Sequence, residues 1–152
     1  MNPYTAIGLM SGSSLDGVDI AYCRFVELDK KWQFDILAAD CTPYPVSMID
    51  RLRKAPSMSG FDLYQLDVDL GHFFGKIIQS FSQKNQIDTL DFVASHGHTI
   101  FHFPSKKLST QIGDGAAIAS LTQTKVITQF RTLDVALGGQ GAPIVPIGEH
   151  YL

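Results

Sequence analysis

A long amphipathic helix lying between runs of strand-like sequence constrains the fold of this chain most strongly. Between Gly60 and Gln83, apolar side chains recur at helical spacing over about five turns. Ser59 is typical of an N-cap, and Asp62 occupies the capping-box position three residues later. The sequence therefore predicts one long helix whose apolar stripe packs against another element. The stripe consists of Leu63, Leu66, Leu70, Phe73, Phe74, Ile77 and Phe81.

Two glycines, Gly71 and Gly75, lie inside this predicted helix, four residues apart. Each glycine in a helix interior costs about 1 kcal/mol relative to alanine. Close packing of another part of the chain against the helix would offset that cost. We expect the partner to be the sheet.

Strand-like runs flank the helix on both sides. Before it come Tyr4–Met10, Val18–Val26 and Trp32–Cys41, the last after a turn at Asp29–Lys31, and a short helix at Pro45–Arg53. After it come a strand at Leu90–Ser95 that continues extended to Phe103, a strand at Ser109–Ile112, a helix at Ala116–Leu121, a strand at Lys125–Thr128 and irregular chain from Phe130. This order predicts an α/β fold with a mixed sheet: an antiparallel meander, then parallel strands joined by crossover helices. It suits one lobe of the ribonuclease H-like fold of actin-like ATPases.

Composition excludes several classes of function. The chain has 152 residues, 45% of them hydrophobic, which suits one globular domain. A net charge of -3 gives no basic patch for a nucleic acid, and no apolar run is long enough to span a bilayer. The two cysteines, Cys23 and Cys41, lie in strand-like sequence, so we expect two buried, reduced thiols in a cytoplasmic protein.

A polar loop, Ser11–Gly17, which contains Gly12 and ends at Gly17, joins the first two predicted strands. Such a loop can point backbone amides and hydroxyls at an anion, and Asp16 could then hold Mg²⁺ beside phosphates. A hydrophilic hairpin turn held by Ser and Asp side chains explains the same residues, so both interpretations stay open. The sequence has no Gly-Lys-Ser/Thr and no Gly-x-Gly-x-x-Gly after the first strand, which excludes a P-loop and a Rossmann site.

Three histidines fall close together after the fourth predicted strand. In a regular strand His96, His98 and His102 would share a face, which invites a zinc site. No carboxylate follows at ligand spacing, which favours two other interpretations. In one, His96 and Thr99 lie beside a polar ligand; in the other, the histidines end a strand near the surface.

Two further polar groups lie on glycine-rich segments, where open sheets bind ligands. The first is Gln111–Gly115, in which Asp114 could bind a ligand or cap the next helix. The second is Arg131 with Asp134, just before Gly138–Gly141. These two side chains could serve a ligand or pair with each other at the surface.

Together these segments resemble the anhydro-N-acetylmuramic acid kinase family over essentially the whole chain. The family usually has Thr at the position of Ser13 and often Gln at that of His98, which leaves the role of His98 open. Four separated motifs in order are far more specific than any one of them. They are Ile7–Asp19, His96–His102, Gln111–Asp114 and Phe130–Pro146.

The resemblance implies a cytoplasmic enzyme that uses ATP and Mg²⁺ to phosphorylate the 6-position of 1,6-anhydro-N-acetylmuramic acid while water opens the anhydro bridge. The product, N-acetylmuramic acid 6-phosphate, belongs to cell-wall recycling. A homodimer of the full-length protein is a further expectation. The implied phosphate loop is Gly12, Ser13, Ser14, Leu15, Asp16, Gly17, Val18 and Asp19, with Asp16 at the metal. The implied sugar side of the cleft is His96, Thr99, Arg131 and Asp134.

Family members continue well past the position of Leu152, with an Asp-Thr-Gly-Pro-Gly-Asn motif that supplies the base and with a Gly-rich adenosine motif. Neither motif occurs in residues 1–152, which we expect to form the N-terminal lobe without the C-terminal one. Residues 138–152 would begin the segment between the lobes. Because phosphoryl transfer needs both walls of the cleft, we expect no kinase activity from this chain alone. The rival functions are a kinase for another anhydro sugar such as levoglucosan, a metal-dependent hydrolase built on the histidines, and a non-catalytic nucleotide-binding module.

Overall fold

The computed structural model describes residues 3–29 and 31–152; Lys30, in the predicted turn, lies outside the described residues. In these ranges the chain forms six strands and five α-helices. The strands are β1 (Tyr4–Ser11), β2 (Val18–Leu28), β3 (Lys31–Thr42), β4 (Phe92–Phe103), β5 (Leu108–Ile112) and β6 (Val126–Ile127). The helices are α1 (Val46–Lys54), α2 (Gly60–Lys84), α3 (Gly115–Thr122), α4 (Thr132–Ala136) and α5 (Val145–Tyr151).

The six strands form one mixed sheet in the order β3-β2-β1-β4-β5, with β6 also paired to β4. The first three strands are an antiparallel meander. β4 runs parallel to β1, and its first residues pair in parallel with β6, whereas its second half pairs antiparallel with β5. The predicted fold class is therefore confirmed, because this is the mixed sheet of an actin-like ATPase lobe.

The core lies between α2 and one face of the sheet. Leu66, Leu70 and Phe74 of α2 are almost fully buried against Ile7 of β1 and Val93 of β4. The helix begins as predicted. The Ser59 hydroxyl accepts a hydrogen bond from the Asp62 amide at 3.1 Å and donates one to the Asp62 carboxylate at 2.7 Å. The periodic apolar stripe thus determines which face of the helix is buried.

The two glycines of α2 pack against α3 and the turn before it, not against the sheet as expected. A Cβ on Gly71 would lie 2.5 Å from the Asp114 carbonyl oxygen and 2.9 Å from the Ala117 Cβ. A Cβ on Gly75 would lie 2.8 Å from a methyl carbon of Leu121. The prediction of close packing was right, but the partner was wrong, because α3 crosses the helix at these two positions.

Gly71→Ala is expected to destabilise the protein by about 1–3 kcal/mol, because the backbone of the turn cannot move away from the added methyl group. Gly60→Ala is the matched control, since a Cβ there has no atom within 4 Å and alanine favours the helix. Urea denaturation of both variants measures the effect. Equal stability of Gly71→Ala and the wild type would contradict this packing.

The cysteines differ from expectation in one respect. Both are free thiols, but Cys23 is half-buried and Cys41 is exposed. A hydrogen bond with the Asp19 carboxylate, assisted by desolvation, raises the pKa of the Cys41 thiol.

Among the described residues, no helix is long and apolar enough to cross a membrane.

Candidate active site

The Gly12–Gly17 loop closes the β1–β2 hairpin and projects into solvent. The Leu15 amide donates to the Gly12 carbonyl at 3.3 Å, and Leu15 itself has φ 61°. The Ser14 hydroxyl donates to one Asp16 carboxylate oxygen at 2.8 Å. The loop therefore has the side-chain hydrogen bond of a hydrophilic turn, yet it leaves Ser13, Ser14 and Asp16 exposed.

The loop's groups fit an anion with a hard cation. Within residues 3–29 and 31–152, the amides of Ser13, Ser14 and Asp16 have no protein acceptor. One Asp16 oxygen accepts from Ser14, and the other is free to bind a cation such as Mg²⁺, which prefers oxygen ligands. The residues present therefore fit a magnesium-bound phosphate group.

Leu15, Val18 and Asp19 occupy different surroundings. Val18 is fully buried and Leu15 packs against the core, so these two side chains support the loop from below. Asp19 faces the opposite side of the sheet, where it lines an open cavity of about 670 Å³. Small residues, among them Gly8 and Ala94, line this cavity, and His96 also borders it.

A bulge at Gly97 separates the two histidines beside it. Leu9 pairs with Ser95 and Ser11 pairs with His98, so β4 has one residue more than β1 over this stretch. Gly97 adopts φ 72°, and a Cβ there would lie 2.6 Å from the Ile112 carbonyl oxygen. The extra residue turns His96 and His98 to opposite faces of the sheet.

The expectation that His96, His98 and His102 share a face is therefore wrong, and the bulge is the physical reason. No group of three His, Cys, Asp or Glu side chains among the described residues could hold a metal ion. The rival hydrolase built on the three histidines has no metal site in this arrangement.

His96 is joined directly to Arg131. The Arg131 Nε donates to His96 Nε2 at 2.9 Å, while His96 Nδ1 lies 2.9 Å from the Gly97 carbonyl oxygen. Nε2 is thus an acceptor and the proton resides on Nδ1, which describes a neutral imidazole. Burial, and to a lesser extent the Arg131 charge, lower the pKa of His96.

Arg131 and Asp134 both hold Gly141. The Arg131 Nη1 donates to the Gly141 carbonyl oxygen at 2.8 Å, and the Gly141 amide donates to the Asp134 carboxylate at 2.6 Å. The suggested ion pair between Arg131 and Asp134 is wrong, since neither residue takes part in a salt bridge within the described chain. His96, Arg131, Asp134 and Gly141 therefore form one cluster, which we call the Arg131 cluster.

Thr99 lies outside this cluster, in a second polar group. Gln111 Nε2 donates to the Ser109 hydroxyl at 2.9 Å and, more weakly, to the Thr99 hydroxyl at 3.4 Å. His102 Nδ1 lies 3.1 Å from the same Ser109 hydroxyl. The structure thus places Thr99 on the strand that carries His96, without a hydrogen bond between the two groups.

The comparisons with known proteins show which family the chain belongs to. The family model described as anhydro-N-acetylmuramic acid kinase matches residues 4–152. The chain belongs to the anhydro-N-acetylmuramic acid kinase family.

Curated proteins of the same name are similar to nearly the whole chain. The one from Clostridioides difficile (strain 630) is 38% identical over 97% of this chain and 41% of its own length. Those from Francisella tularensis subsp. novicida and Paramagnetospirillum magneticum are 35% and 39% identical, again over 41% of their own length and over 96% and 97% of this chain. The chain spans about two-fifths of the length of the curated kinases that it matches.

Two further polar contacts near the candidate site could not have been found from sequence. Asp67 of α2 accepts the Gly113 amide at 2.6 Å, and burial raises the pKa of this carboxyl group. Tyr44 lies 2.7 Å from the Ser11 hydroxyl. Asp114 caps α3, since its carboxylate accepts the Ala117 amide at 2.6 Å, which confirms the capping interpretation.

Stability is expected to fall as the pH drops from about 7 to 5. Burial lowers the pKa of both His96 and His98, with a smaller contribution from the Arg131 charge at His96 and from His96 at His98. The unfolded chain, whose histidines titrate near pH 6.5, then binds more protons than the folded chain between pH 6.5 and the lowered values. Stability therefore rises with pH in this window and is lost on acidification.

Urea midpoints at pH 7 and pH 5 measure this effect. The His96→Gln/His98→Gln variant should lose less stability over the same interval than the wild type, because its glutamines do not titrate. An identical loss in both proteins would contradict the assignment of the effect to these two residues.

Proposed function

We propose that the protein is an ATP- and Mg²⁺-dependent kinase that acts on 1,6-anhydro-N-acetylmuramic acid in the cytoplasm, and that this chain forms its N-terminal lobe. The reaction consumes the sugar, ATP and one water molecule, and it gives N-acetylmuramic acid 6-phosphate and ADP. Family membership and the names of the relatives support the reaction class.

One observation carries the choice of substrate. The Arg131 guanidinium is fixed by two neutral acceptors, His96 Nε2 and the Gly141 carbonyl oxygen. Within the described residues, no carboxylate neutralises its charge. A positioned, unneutralised guanidinium favours an anionic ligand, and the lactyl carboxylate of the muramic sugar supplies such a group.

Levoglucosan has no carboxylate and would leave this charge unpaired. That difference favours the muramic sugar over the alternative anhydro sugar.

The Gly12–Gly17 loop would hold the nucleotide phosphates. The free amides of Ser13 and Ser14 would donate to phosphate oxygens, and the Asp16 carboxylate would hold Mg²⁺. When bound, Mg-ATP supplies the phosphoryl group and a cation that screens its charge. Val18 anchors the end of the loop in the core. Asp19 lies on the opposite face of the sheet, where it lines the open cavity.

The sugar would lie toward the Arg131 cluster. Arg131 binds the carboxylate, neutral His96 fixes the guanidinium plane, and Asp134 keeps Gly141 in place. Thr99 offers a hydroxyl on the same strand as His96. These groups orient the sugar, while the base that activates water lies outside residues 1–152. We therefore propose that this chain alone turns over no substrate.

Mass spectrometry in H₂¹⁸O tests the reaction. The protein expressed from its complete open reading frame is incubated with Mg-ATP and 1,6-anhydro-N-acetylmuramic acid. The expected product carries one phosphoryl group and one ¹⁸O atom from water. A phosphorylated sugar without ¹⁸O would refute the ring opening, and free phosphate with unchanged sugar would refute the kinase.

A further inference from the structure

A buried chain of three polar groups lies directly beneath the candidate phosphate loop. Ser11 is the last residue of β1, and its Oγ lies 2.7 Å from Tyr44 Oη and 2.8 Å from His98 Nδ1. Ser11, Tyr44 and His98 are 3%, 6% and 4% exposed. At this burial an unmade hydrogen bond is unfavourable, so the direction of each bond matters.

The donor and the acceptor of each hydrogen bond follow from the positions of the protons. Burial raises the pKa of Tyr44 to about 12, so the phenol keeps its proton and needs an acceptor. Ser11 Oγ is the acceptor that the described structure offers to this proton. Ser11 has one proton of its own, which it then donates to His98 Nδ1.

His98 is therefore neutral, with its proton on Nε2. Burial and the nearby His96 lower the pKa of His98, which agrees with a neutral ring. The two hydrogen bonds then run in one direction: Tyr44 donates to Ser11, and Ser11 donates to His98.

The hydrogen bonds among Tyr44, Ser11 and His98 connect the loop to α2 and β4. Tyr44 stacks on Phe73 of α2 with ring centroids 5.6 Å apart, and His98 follows the Gly97 bulge of β4. Among the described residues, the loop's own backbone hydrogen bond is the long one from the Leu15 amide to the Gly12 carbonyl oxygen, at 3.3 Å. The anchor at Ser11 therefore adds a buried polar tie to the support that Leu15 and Val18 give the loop from below.

We propose that His98 is a positioning residue for nucleotide binding: it holds Ser11, and through Ser11 it orients the Gly12–Gly17 loop toward the phosphates. In this role His98 acts through Ser11, without contact to the sugar or to the reacting atoms. The inference rests on the proposed function for the identity of the ligand, Mg-ADP or Mg-ATP.

Calorimetric titration of Mg-ADP into the protein expressed from its complete open reading frame tests this role. His98→Leu removes the acceptor and should weaken Mg-ADP binding about 10-fold, while the KM for the sugar changes less than about twofold. His98→Gln offers an amide oxygen to Ser11 and should bind within about threefold of wild type. His72→Leu, at an exposed position of α2, is the matched control and should bind as the wild type does.

Two further measurements keep the test decisive if His98→Leu does not fold. Tyr44→Phe removes only the first donor and should weaken Mg-ADP binding about threefold. The ¹⁵N spectrum of the His98 imidazole should report the Nε2–H tautomer. Wild-type affinity in both His98→Leu and Tyr44→Phe, or an Nδ1–H tautomer, overturns the proposal.

The same titration separates this inference from the proposed function. If the wild type binds Mg-ADP with these ratios but does not phosphorylate the sugar, the positioning role stands and only the substrate is wrong. If the wild type binds no Mg-ADP, the positioning role falls as well.

Discussion

Asp16→Asn in the complete protein is expected to lower kcat/KM for ATP by about 100-fold or more, or roughly 3 kcal/mol. Asp16 is an exposed carboxylate and the acidic residue of the Gly12–Gly17 loop. Asparagine keeps an oxygen for the Ser14 hydroxyl, so the turn should survive while the charge that attracts Mg²⁺ is lost. The KM for the sugar should stay within about twofold of wild type.

Coupled ADP release at several Mg²⁺ concentrations measures this effect. The Mg²⁺ concentration for half-maximal rate should rise in Asp16→Asn. Asp35→Asn is the control, because Asp35 is an exposed carboxylate that forms an ion pair with Arg24 on the outer strands, away from the loop. An unchanged Mg²⁺ dependence in Asp16→Asn would contradict the proposal that Asp16 binds the metal.

Arg131→Ala is expected to raise the KM for 1,6-anhydro-N-acetylmuramic acid by about 100-fold, because an ionic hydrogen bond to the lactyl carboxylate is lost. Arg131→Lys should recover part of this effect, since lysine keeps the charge but cannot reach both His96 and Gly141 with a planar fork. Arg24→Ala is the control, as Arg24 is an exposed arginine on β2. The KM for ATP should not change in any of the three.

Levoglucosan distinguishes recognition from structural support. Loss of the carboxylate contact should reduce the preference for the muramic sugar over levoglucosan, because the second sugar never used the guanidinium. If Arg131→Ala lowers activity toward both sugars equally, Arg131 acts only by holding Gly141. In that case the choice of substrate has lost its main support.

Local periodicity made the helical and strand framework predictable. The apolar stripe of α2, its Ser59 cap and the three-strand meander all depend on residues close together in sequence. The two shortest helices beyond Phe130, α4 and α5, were expected as irregular chain, since five and seven residues carry too little periodicity. The inter-lobe role expected for residues 138–152 stays a prediction.

The site was only partly predictable. The candidate phosphate loop, His96 and Arg131 follow from motifs, and the structure brings His96 and Arg131 together. The bulge at Gly97 has no sequence signal beyond the glycine itself. The sequence therefore placed His98 on the same face of the sheet as His96, which is wrong. The bonds from Ser11 to Tyr44 and His98 span 33 and 87 residues, and no local pattern encodes such contacts.

The most direct test of the central claim is sugar-dependent ADP release by the protein expressed from its complete open reading frame. The assay contains Mg-ATP and one of three additions: 1,6-anhydro-N-acetylmuramic acid, levoglucosan or no sugar. The account predicts rapid release with the muramic sugar, slow release with levoglucosan and none without sugar. Equal release with all three additions, or none with any, would contradict it.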